Sequence, residues 1–189
     1  MGEAPDSSKK PAVAIVGPHV PRRWLSWIFL GTAALAAALD LWTKDTAEAR
    51  LKTPTLQPQI EVIPGALGFR YVENKGIIFG IGKSLSDLFF VVAIIAVPVI
   101  GVIFIRLKAP TLCMTLALAF VLGGTLGNLH DRIFFGAVRD FIYFYLIDWP
   151  IFNLADSFIL SGTILLMLEL TLLDEKKIPQ APAVSPQEG

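Results

Sequence analysis

Two aspartates stand where a lipid bilayer should exclude them. Asp140 lies in the run Gly136-Ala137-Val138-Arg139-Asp140-Phe141, just before the last apolar stretch of the chain. Asp156 lies inside that stretch, in Phe152-Asn153-Leu154-Ala155-Asp156-Ser157. A carboxylate at membrane depth costs several kcal/mol, so it needs a partner, water or a function. Two carboxyls that meet can share one proton, leaving one as an acid and the other as a base. Such a pair can activate water without a metal. Taken singly, Asp140 reads as an ordinary loop aspartate, whereas for Asp156 a polar helix–helix contact is the less favoured alternative. The pair is more informative than either.

Donors surround the pair in sequence. In Gly123-Gly124-Thr125-Leu126-Gly127-Asn128-Leu129-His130-Asp131-Arg132, the four-residue spacing of Gly124, Asn128 and Arg132 puts them on one helical face. Gly123 and Gly127 form a small-xxx-small pair that lets another helix approach closely. A packing seam accounts for the glycines, but an amide and a guanidinium add N–H donors able to bind a carbonyl or orient a carboxylate. Asn153 precedes Asp156 by three residues and shares its face. Five residues past Ile151, Asp156 would lie roughly 8 Å along a helix that starts there. That depth admits water and still raises a carboxyl pKa by desolvation. Asn74, in Asn74-Lys75-Gly76, either makes a simple turn or points its amide into a cleft. Asp40 and Lys44, four apart at the end of the first apolar run, suit an interfacial ion pair or a structural role near the site. The aromatic segment Phe141–Pro150 anchors at the interface, or more sharply holds Asp140 there, facing Asp156.

Other chemistries find little support. There is no HExxH or GxSxG motif, and the histidines are His19 and His130. The lone Cys113 sits in an apolar run and reads as a packing residue. His130, on an interfacial turn, reads as a surface or hydrogen-bonding residue. No metal and no cofactor are expected. The net charge is zero, which argues against a nucleic-acid partner.

The elements that must position these residues are membrane spans. Of the 189 residues, 54% are hydrophobic and only 17% charged, against about 45–50% and about 25% in soluble domains. Four runs have the roughly 20 residues that a span needs: about 24–43, 85–105, 111–129 and 151–173. Trp24 and Trp27 anchor the first, and Pro98 should kink the second. The first run is too long for a signal-peptide core. Residues 1–21 and 175–189 read as disordered tails around one membrane domain, 22–174. An even number of spans puts both termini on one side. The basic residues nearest the span ends, Arg22-Arg23 and Arg106-Leu107-Lys108, place that side in the cytoplasm. Segment 44–84 is then extracytoplasmic. Within it Ile60-Glu61-Val62-Ile63 and Leu67–Glu73 are strand-like and separated by Pro64-Gly65, and Gly76, Gly80 and Gly82 follow. That suits a small bent sheet on the membrane surface, with 130–150 as an interfacial loop. No internal repeat of the transporter kind is present. The fold class is therefore a mostly α membrane protein, a four-helix transmembrane bundle with a small extracytoplasmic β-cradle.

With these motifs assembled, the chain resembles the lipoprotein signal peptidases (signal peptidase II) of bacteria. The resemblance runs from about residue 24 to 173 and rests on five ordered blocks. They are Asp40-Leu41-Trp42-Thr43-Lys44, Asn74–Gly80, Gly123–Arg132, Val138-Arg139-Asp140-Phe141 and Phe152-Asn153-Leu154-Ala155-Asp156. It implies an intramembrane aspartic endopeptidase of the bacterial cytoplasmic (inner) membrane, with Asp140 and Asp156 catalytic. Asn74, Gly76, Gly124, Asn128, Arg132 and Asn153 are then substrate-binding or dyad-orienting, and Asp40 and Lys44 structural near the site. The implied substrate is a diacylglyceryl prolipoprotein cut just before its lipidated cysteine, with membrane lipid as surroundings and globomycin as an inhibitor. One site per chain makes a monomer sufficient. Three departures stand out: His130 and Arg139 replace the apolar or small residues usual there, and the link from Asp140 to Asp156 is slightly short. Arg139 is expected to lower the pKa of its neighbour. Rival readings of the same buried acids are a small transporter or proton-conducting protein, and a non-catalytic paralogue that binds lipoprotein precursors.

Overall fold

The structure is a computed structural model that describes residues 20–52, 60–75 and 84–175. The expected tails therefore lie almost wholly outside the described residues, as do Gly76, Gly80 and Gly82.

Four helices are long and apolar enough to cross a membrane. They are α1 (Arg22–Leu51), α2 (Ser84–Arg106), α3 (Leu112–Phe135) and α4 (Leu154–Glu175). Helix α3 is the centre, packed against the other three. Helix α1 runs two turns past its expected end because its buried stripe does not stop at the membrane. Leu25, Phe29, Ala33, Ala36, Asp40, Lys44, Ala47 and Leu51 recur every three or four residues, one continuous helical face. Helix α3 begins on Thr111, whose hydroxyl accepts the Met114 N–H at 3.0 Å. It runs on through His130 and Arg132 to Phe135, and ends at Gly136, which is left-handed with φ 69°. The segment expected as a loop from residue 130 is thus helical for its first six residues.

The apolar core lies between α1, α2 and α3, where Phe29 stacks on Phe104 at 4.0 Å and Leu118 and Leu122 fill in around them. The outer faces of α2 and α4 stay apolar and exposed, as lipid-facing helices should, for example Val92, Ile95, Ile164 and Leu168. Close approach of α3 to α1 needs the small-residue pair. A Cβ on Gly123 would meet the Ala33 carbonyl at 2.6 Å, and one on Gly127 would strike the Asp40 carboxylate.

The β-cradle has three antiparallel strands in the order β1-β2-β3: β1 (Ile60–Ile63), β2 (Leu67–Asn74) and β3 (Val138–Phe144). The β1–β2 turn passes through Gly65 at φ 75°, as its sequence predicts. Strand β3 was hidden in the expected interfacial loop. Its ladder is supplied by β2, 60 or more residues away, and its charged pair Arg139-Asp140 masks the apolar alternation. The sheet rests on the extension of α1, where Tyr71 and Phe141 pack against Ala47 and Leu51.

Candidate active site

Asp140 owes its direction to strand alternation. Arg139 and Phe141 face α1, where the Arg139 guanidinium meets Asp45 and Glu48 and Phe141 meets Leu51. Asp140 faces the other way, towards the start of α4. On β2, Val72 pairs with Asp140, so Asn74 two residues on lies on the same face. Its amide donates to Asp140 Oδ2 at 2.9 Å. Asn74 therefore points into the cleft rather than closing a simple turn.

Asp156 owes its place to a helix cap. Helix α4 begins at Leu154, not Ile151, so Asp156 sits in the first turn, shallower than the sequence spacing suggests. Asn153 Oδ1 accepts the Asp156 N–H at 3.0 Å, and Asp156 Oδ2 accepts the Asn153 N–H at 3.2 Å. This reciprocal pair is a capping box with Asn and Asp in the usual Ser/Thr and Glu positions. A further N–H of that turn, from Ala155, donates to Asp40 Oδ1 at 2.8 Å. Asp40, wholly buried, thus ties α1 to the end of α4 that carries Asp156.

Two amides join the aspartates. Asn153 Nδ2 donates to Asp140 Oδ1 at 2.6 Å and to Asn128 Oδ1 at 3.1 Å. Asn128 Nδ2 donates to Asp156 Oδ1 at 2.8 Å. Asn153 therefore touches both carboxyls, one through its side chain and one through its backbone. Lys44, also wholly buried, donates to Asn128 Oδ1 at 2.9 Å. Arg132 donates to the Asn128 carbonyl at 3.2 Å, so it braces the end of α3 and holds a positive charge within electrostatic reach of both aspartates. Gly124 belongs to packing. A Cβ there would run into the Ala155 carbonyl and, at 2.8 Å, Ile159, so its bareness lets α3 lie against the first turn of α4.

The two carboxyls border a cleft of about 470 Å³, with Asn74 beside them and Trp149, Phe152 and Leu160 among the apolar walls. Burial pushes the Asp140 carboxyl up to about 7, against the Asn74 and Asn153 hydrogen bonds that favour its ionised form, and the nearby Asp156 adds to the rise. The expected lowering by Arg139 does not occur, because the guanidinium lies on the opposite face of β3. A carboxyl that keeps a proton near neutrality, in one cleft with a second carboxyl and two amide donors, can polarise a carbonyl while its partner accepts a proton from water.

Sequence reasoning passed over a group behind the cleft. Asp131 is wholly buried, accepts Arg139 Nη2 at 2.9 Å and the Arg139 N–H at 3.0 Å, and is ion-paired with Lys44 Nζ at 3.4 Å. Arg139 is itself 2% exposed and lies over the Phe135 ring at 4.2 Å. The signal was present in the helical spacing of Asn128 and Asp131, three apart on one face. Among the described residues, no group of three or more His, Cys, Asp or Glu side chains is arranged to hold a metal ion.

This arrangement can be set beside known proteins. The family model described as Signal peptidase (SPase) II matches residues 32–172. A lipoprotein signal peptidase of Syntrophomonas wolfei is 45% identical over 149 residues, spanning 79% of this chain and 95% of that one. One from Ectopseudomonas mendocina is 40% identical over 161 residues (80% and 90%), and one from Aquifex aeolicus 36% over 152 residues (78% and 87%). A bacterial membrane enzyme solved by the in meso method at 2.3 Å resolution superposes with a TM-score of 0.70 at 30% identity, covering 82% of this chain and 93% of that chain. With four spans, a three-stranded cradle and a family match over most of its length, the chain belongs to the signal peptidase II family of membrane proteases.

Proposed function

We propose that Asp140 and Asp156 form the catalytic dyad with which this protease removes the signal peptide from diacylglyceryl prolipoproteins. The observation that carries the reading is Asn153, whose contacts gather both carboxyls into one cleft at the end of the bundle. Asp156 takes a proton from water, and the hydroxide equivalent attacks the scissile carbonyl. Asp140, protonated, donates its O–H to the carbonyl oxygen. As the tetrahedral intermediate collapses, the proton held by Asp156 passes to the leaving amine, and Asp140 recovers its own. The signal peptide leaves with a new carboxylate, and the lipidated cysteine keeps a new amino terminus. Asn74, Asn128 and Asn153 hold the two carboxyls, and Arg132 steadies the backbone of Asn128. The apolar walls of the cleft suit the peptide, and the diacylglyceryl chains lie in the surrounding lipid.

Asp140→Asn and Asp156→Asn, each in lipid vesicles with a diacylglyceryl prolipoprotein, should cleave at least about 100-fold more slowly, the scale of a lost acid or base. Near-normal cleavage by either variant sinks the dyad. The same assay with globomycin tests the inhibitor sensitivity that the family resemblance implies. A single chain supplies every group named here, which supports action as a monomer. The basic residues Arg22, Arg23, Arg106 and Lys108 support cytoplasmic termini in the inner membrane. Labelling of single cysteines placed in β2, in a Cys113→Ala background, checks this: reagent should reach them from outside the membrane.

A further inference from the structure

We infer that Lys44 is a positioning residue of the cleavage reaction, fixing the Asn128 amide and through it the carboxylate of Asp156. The inference rests on the dyad reading. Lys44 does not touch the cleft. Its ammonium is wholly enclosed: it donates to Asn128 Oδ1 at 2.9 Å and is ion-paired with Asp40 Oδ2 at 2.7 Å and Asp131 Oδ2 at 3.4 Å. Lysine is almost never this buried unless paired. Charge pairing alone needs only the two aspartates, yet the hydrogen bond of the ammonium goes to a neutral amide.

That amide has a choice to make. The oxygen and NH2 ends of an Asn are nearly equal in shape, so its hydrogen-bond partners decide which way it lies. Asn128 Oδ1 is claimed from two sides, by Lys44 and by Asn153 Nδ2 at 3.1 Å. Nδ2 is thereby turned to Asp156 Oδ1 at 2.8 Å. With the ammonium gone, one claim remains, and the flipped amide would set its oxygen against the carboxylate. The ammonium also acts on the dyad by its charge, favouring the ionised form of Asp140. The groups facing Lys44 are Asp40 on its own helix and Asn128 and Asp131 on α3. Those facing Asp140 are Asn74 on β2, Asn153 and Asp156 on α4, and the charges of Arg132 on α3 and Lys44 on α1.

The test must remove the cation without stranding its partners. Asp40→Asn/Lys44→Met deletes one charge of each sign and leaves Asp131 paired with Arg139. In vesicles, on diacylglyceryl prolipoprotein, and compared with Asp40→Asn alone, we expect kcat to fall at least about tenfold, the scale of one misplaced hydrogen-bond donor, with KM within about twofold. The basic limb of the kcat profile should move up by about 1 pH unit, as expected when a nearby cation is withdrawn. A folded variant, judged by its thermal transition, with the reference kcat and pH profile overturns the inference. If the methionine pair does not fold, Asp40→Asn/Lys44→Gln replaces it: its amide can donate, but it carries no charge, so the pH shift must persist. An unshifted limb there also overturns the inference. Asp140→Asn and Asp156→Asn run alongside. If they are inactive while the Lys44 variants match the reference, this inference alone fails. If they cleave normally, the dyad reading fails first.

Discussion

Asp140→Asn should stabilise the folded protein in alkaline buffer and destabilise it in acid, while stopping cleavage throughout. The carboxyl rises from an ordinary 3.8 to about 7 on folding, chiefly through burial. Between those values the native state holds a proton that the unfolded chain has released. Stability therefore falls as pH rises, by about 1.4 kcal/mol per unit. Over roughly three units the loss reaches about 4 kcal/mol and is complete above pH 7. The amide does not titrate and escapes this loss. It brings a cost of its own, since its NH2 must face one of the two donors, Asn74 or Asn153, that now serve the carboxyl. A misplaced buried donor costs about 1–3 kcal/mol. The variant should thus gain about 1–3 kcal/mol at pH 8 and lose about the same at pH 4, with a crossing between. Paired thermal unfolding in detergent at the two pH values reads this, at about 2–4 °C per kcal/mol for a chain of this size. Parent and variant curves that keep a constant separation across pH would refute the reasoning, whatever the activity.

Further outcomes follow from charge pairing and from packing. Arg139→Met leaves Asp131 buried with Lys44 as its remaining cation and should cost about 3–5 kcal/mol, most of it recovered in Asp131→Asn/Arg139→Met, both read by unfolding. Gly124→Ala should cost about 1–3 kcal/mol through overpacking against the Ala155 carbonyl, and should slow cleavage by shifting the turn that carries Asp156. Gly31→Ala, where an added Cβ meets nothing within 4 Å, should do neither when stability and cleavage are measured together.

The bundle was readable because apolar runs of spanning length have few alternatives in lipid. The hairpin of β1 and β2 was readable because Pro64-Gly65 separates two alternating segments. Asn128, Asn153 and Asp156 stood out as polar side chains at helical spacing in runs that should have been apolar, and Asp140 only by its nearness to the last span. What escaped was tertiary. Strand β3 depends on pairing with β2, which no local pattern around Arg139 and Asp140 reveals. The buried Asp131–Arg139 contact depends on β3 turning Arg139 towards α1, so the sequence suggested an influence on Asp140 that the alternation of the strand removes. The start of α4 was misjudged by three residues because Pro150 and Ile151 extend the apolar run, whereas Asn153 supplies the cap.

That cap also constrains how a proton can arrive. An ionised carboxylate offers about four acceptor positions. On Asp156, the Asn153 N–H occupies one on Oδ2 and the Asn128 amide occupies one on Oδ1. The carboxylate is held like a plate gripped at both rims and cannot spin about its own bond without breaking both grips. If Asp156 is the base of the proposed reaction, water must deliver its proton to one of the two positions left over, from a direction set before the substrate enters. Under that proposal, which face of the scissile carbonyl is attacked becomes a property of how a helix begins.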